Sequence, residues 1–89
     1  MTESANVKHV PCSFAQFLVS LGSSALVHLG EIAEPTTGKT IKDLAMARHS
    51  IEVLEILAVK TEGNLDQDES RLLEALLTDL QAKYAAATS

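Results

Sequence analysis

The chain has 89 residues and a mass of 9.5 kDa, with 46% hydrophobic residues, only 3% aromatic residues and a net charge of −5. A chain this short buries only about 60% of its unfolded surface, which allows one domain with a modest core, and an aliphatic, aromatic-poor composition points to helices rather than to a sandwich or barrel. Seven scattered Lys and Arg residues argue against a nucleic-acid partner, which requires clustered cations, and a lone Cys12 excludes an internal disulfide and suits a reducing cytoplasm.

Residues 1–12 show no periodicity and read as a flexible arm ahead of a single helical domain over 13–86, with a frayed tail at 87–89. Ser13 begins the first helix as an N-cap, since Gln16 stands three positions on and Cys12 and Phe17 occupy the two staple positions. The first helix is predicted over 13–32 and must end before Pro35. The segment Glu34 to Lys42 is rich in turn formers. Asp43 caps a second helix over 44–62, with Ala47, Ile51, Leu54 and Ala58 on one face and Gly63-Asn64 as its stop. Asp66 and Glu69 repeat the capping spacing at the start of a third helix over 67–85, whose stripe is Leu73, Leu77, Leu80 and Tyr84. The fold class is therefore all-α, a helical hairpin or three-helix bundle.

No residue between Lys8 and Glu31 is charged, which raises the possibility of a membrane span. Ser13, Gln16, Ser20, Ser23, Ser24 and His28 interrupt that stretch and would need partners in lipid, and the start lacks the basic region of a signal peptide, so neither is expected. The same stretch carries two adjacent apolar stripes. One is Phe14, Leu18, Leu21, Ala25, His28 and Ile32; the other is Ala15, Val19, Gly22, Leu26, Leu29 and Ala33, with Phe17 and Val27 beyond both. The second helix has a charged outer face with Arg48, Glu52 and Glu55, and the third has one with Arg71, Glu74, Thr78 and Gln81; the first has none. Two helices of this size cannot cover it all. The expectation is a homodimer or larger helical assembly formed through Phe14, Phe17, Leu18, Leu21, Gly22, Ala25, Leu26, His28, Leu29 and Ile32, with Gly22 to Ala25 at the crossing.

Candidate chemistry is weak. Gly38-Lys39-Thr40 resembles the end of a phosphate-binding loop, but Ala33 stands where its first glycine belongs, and an exposed turn is the better reading. His9 and Cys12 have the spacing of a metal-ligand pair without a second pair, so no metal or other cofactor is expected. His28 reads as a core or interface residue whose protonation would make assembly sensitive to pH. Glu52 and Glu55 share a face, but Arg48 four residues before Glu52 makes surface ion pairing the simpler account. Ser23 and Ser24 lack a neighbouring base, and no catalytic residue is expected.

The stretch Ser13 to Gly30, followed by Pro35-Thr36-Thr37-Gly38-Lys39, Ala47-Arg48, Leu54 and Gly63-Asn64-Leu65, resembles the family of short, mostly helical bacterial proteins called domain of unknown function 1844. The resemblance spans about Ser13 to Tyr84 and brings no activity, cofactor or catalytic residue with it. The sequence thus leads to a non-enzymatic, cytoplasmic interaction or scaffold protein that acts as a homo-oligomer. Its alternatives are a module that binds a small molecule or lipid between its helices, and an adaptor that docks its first helix on a different protein.

Overall fold

A computed structural model describes residues 11–89, so the expected arm lies largely outside the described residues. Three helices occur in the order α1 (Phe14–Leu29), α2 (Leu44–Lys60) and α3 (Gln67–Thr88), each packed against both others. The chain is all-helical, with no strand among the described residues.

Side chains fix each helix start. Ser13 accepts the Gln16 N–H at 3.1 Å, and Asp43 accepts the Met46 N–H at 3.2 Å. At α3 the reciprocal arrangement is complete: Asp66 accepts from the Glu69 N–H at 2.8 Å, while the Glu69 carboxylate accepts from the Asp66 N–H at 3.0 Å.

The helix ends correct the expected bounds. α1 stops at Leu29 rather than running to 32, because Gly30 takes the left-handed conformation, with φ of 79°. Its N–H donates to the Val27 carbonyl at 3.0 Å and that of Glu31 to the Leu26 carbonyl at 2.9 Å, the pairing of a Schellman motif. Ile32 and Ala33 therefore lie beyond the helix and do not extend its stripes. α2 ends at Lys60, where the Thr61 hydroxyl donates to the Leu57 carbonyl at 2.6 Å, and Gly63 turns the chain with φ of 86°. α3 continues beyond the expected 85 to Thr88, since alanine is the best helix former and Ala87 packs against the core.

The Asp43 N–H donates to the His28 carbonyl at 2.7 Å, which places the start of α2 at the end of α1. Because α2 packs along α1 from there, it runs back towards the α1 start, and the short turn to Asp66 sends α3 the other way. The buried core is aliphatic, as the composition implied: Leu18, Ala25 and Leu29 from α1, Ala47, Ile51 and Leu54 from α2, and Leu73 and Leu80 from α3. Gly22 is buried beside them, and a Cβ built there would stand 3.0 Å from Leu76 Cδ2. A small residue at this point is what lets α3 approach α1 closely.

Candidate functional site

The outward half of α1 is the candidate contact surface, and the core assigns its residues unevenly. Leu18, Gly22, Ala25 and Leu29 are buried within the single chain, so they hold the bundle together and are not surface available to a second molecule. Phe14, Leu21 and Leu26 are half-buried against the same core, and His28 is half-buried as well. Of the ten residues proposed for the contact, Phe17 and Ile32 face outward, each 41% exposed, and Ile32 does so from the loop after α1. Val19, at 51% exposure, joins Phe17 on the helix itself. The crossing expected at Gly22 to Ala25 is thus resolved differently: its glycine and alanine meet helices of the same chain, while Ser23 and Ser24 point out.

The rotation of the helix explains this division. At 100° per residue, Gln16, Ser20 and Ser23 form the exposed stripe opposite the buried one, with Phe17 and Ser24 on one flank and Val19 on the other. Val27 continues the line of that stripe but is half-buried, in a depression it lines with Glu34 and Pro35 of the following link. All of these α1 side chains are neutral. Phe17 is supported from below by Phe14, their rings tilted at 53° with centroids 6.3 Å apart. Pro11, Cys12, Ala15, Gln16, Phe17, Val19 and Ser20 line an open depression along the start of the helix.

Exposed apolar surface is not confined to α1. On α2, Met46, Ile56 and Val59 are 42%, 58% and 72% exposed, and Ile41 in the preceding link is also exposed. Ile56 and Val59 line a depression with Glu52, Glu55 and Lys60, so the outer face of α2 is less purely charged than the sequence suggested. The spacing of Met46, Val53 and Ile56 was the available signal, a second apolar row behind the core stripe.

Gly38 sits in a turn closed on Glu34, whose carbonyl accepts from the N–H groups of Gly38 at 2.7 Å and Thr37 at 3.2 Å. Gly38-Lys39-Thr40 is exposed and irregular, and α2 opens only at Leu44, four residues beyond Thr40. Arg48 pairs with Glu52 at 3.3 Å as the spacing implied, and Glu55 accepts from Gln81 Nε2 at 2.8 Å across to α3. Cys12 is exposed beside the α1 cap; its spacing partner His9 lies outside the described residues. Among the described residues, no three His, Cys, Asp or Glu side chains gather as a metal site.

One titrating group has a local cause worth testing. The Glu34 carboxylate accepts the Thr36 hydroxyl and, at 2.8 Å, the Thr36 N–H, which holds its pKa below the ordinary carboxylate value. A depressed carboxylate contributes stability above its unfolded-state pKa, and that contribution is lost as pH falls through the folded value. An NMR titration should find Glu34 protonating at lower pH than in Thr36→Ala, with the Thr36 amide less protected below that transition. Identical Glu34 titrations in the two proteins would show that this hydrogen-bonded turn does not form.

A family described as "Domain of unknown function (DUF1844)" matches residues 11–86. The chain belongs to this family. Its match extends from just ahead of the α1 cap almost to the end of α3, so all three helices and both links belong to the family's common unit. No curated protein and no solved structure matches the chain. No helix among the described residues is long and apolar enough to cross a membrane.

Proposed function

We propose that this DUF1844 member is a non-enzymatic interaction or scaffold protein that acts as a homo-oligomer through the outward face of α1. The observation that carries the reading is the absence of any charged side chain from Phe14 to Leu29, on a helix that still holds Phe17 and Val19 at the surface. A peripheral helix of a lone small bundle ordinarily presents charges to water. Here the outer face is serine, glutamine and valine, which a protein contact desolvates at low cost compared with Lys or Glu. Completing the burial of Phe17 and Val19 would contribute on the order of 1 kcal/mol each, a useful fraction of the stability of a small domain.

Met46, Ile56 and Val59 extend the apolar surface on α2 and would let a larger assembly spread beyond one helix. Catalysis has no part in this reading, in which Glu52 and Glu55 serve the ion pair with Arg48 and the bond from Gln81. A free, exposed Cys12 fits a reducing cytoplasm as its compartment.

Size-exclusion chromatography with light scattering tests the proposal on the double variant Phe17→Ser, Val19→Ser. Both side chains are partly solvated, so the fold should survive, as circular dichroism would verify, while the association constant drops at least tenfold. Unchanged assembly in a folded double variant would remove α1 from the contact.

A further inference from the structure

We draw no further inference here: the strongest candidate, the uncharged outward face of α1 with the open depression that Pro11, Phe17, Val19 and Ser20 line at its start, is an unpartnered helix face, and nothing in the structure shows what covers it.

Discussion

Leu54→Ala is expected to cost about 2–5 kcal/mol and to leave little of the chain's cooperative unfolding transition. Leu54 is fully buried in the middle of α2, with core leucines and alanines of all three helices packed in the same cluster. Truncation removes the transfer energy of the lost carbons and leaves a cavity that three short helices cannot close without moving. A domain of this size has a total stability near the lower end of about 5–15 kcal/mol, so this one change removes a large share of it. Alanine's better helix propensity returns only a few tenths of a kcal/mol. Urea denaturation followed by circular dichroism measures the loss. Val59→Ala on the exposed side of the same helix, where the side chain is 72% exposed, should shift stability by less than about 1 kcal/mol. Equal losses at the two positions would contradict the core as described.

Gly22→Leu is the second large effect, and its character separates the interior of the bundle from its surface. A Cβ alone would meet Leu76 Cδ2 at 3.0 Å, close enough that the leucine tip must move by a few tenths of an ångström. A whole leucine has no room between α1 and α3, and overpacking of this kind costs about 1–3 kcal/mol or more. In a domain of 60–100 residues each kcal/mol lowers the melting temperature by roughly 4–8 °C. The expected result is a lower melting temperature at every protein concentration, since the clash is within one chain. If the variant instead melted like the native protein and only lost mass in solution, Gly22 would face a second copy, and the packing of α3 on α1 would need revision. Gly22→Ala is the milder companion, because removing a mid-helix glycine stabilises by about 1 kcal/mol and opposes the small displacement of Leu76.

Much of this architecture is legible in the sequence because its signals are local. Ser13, Asp43 and Asp66 each act on an amide three residues away, so their spacing alone marks the helix starts. Gly30 was legible too, yet the apolar residues Ile32 and Ala33 continued the helical spacing past it, and periodicity overran the true end. The left-handed cap is settled by a glycine's backbone freedom, to which a hydrophobic pattern is blind.

The direction of each α1 face was harder to read. Two apolar stripes lay side by side, and the buried face straddles them: Leu18 and Ala25 come from one, Gly22 and Leu29 from the other. Periodicity shows which residues share a face but not which neighbour that face meets. The fit of Gly22 to Leu76 and the bond from Gln81 to Glu55 join residues far apart in the chain, and only the packed helices bring them together. The same limit hid Ile56 and Val59, whose charged neighbours Glu52, Glu55 and Lys60 made the outer side of α2 read as wet.

Sedimentation equilibrium of the native chain over a range of concentrations is the most direct measurement of the central claim, that the uncharged outer side of α1 is a contact surface between copies. Self-association predicts a mass rising to at least twice 9.5 kDa by tens of micromolar. A constant 9.5 kDa across that range, with the protein folded, would contradict it.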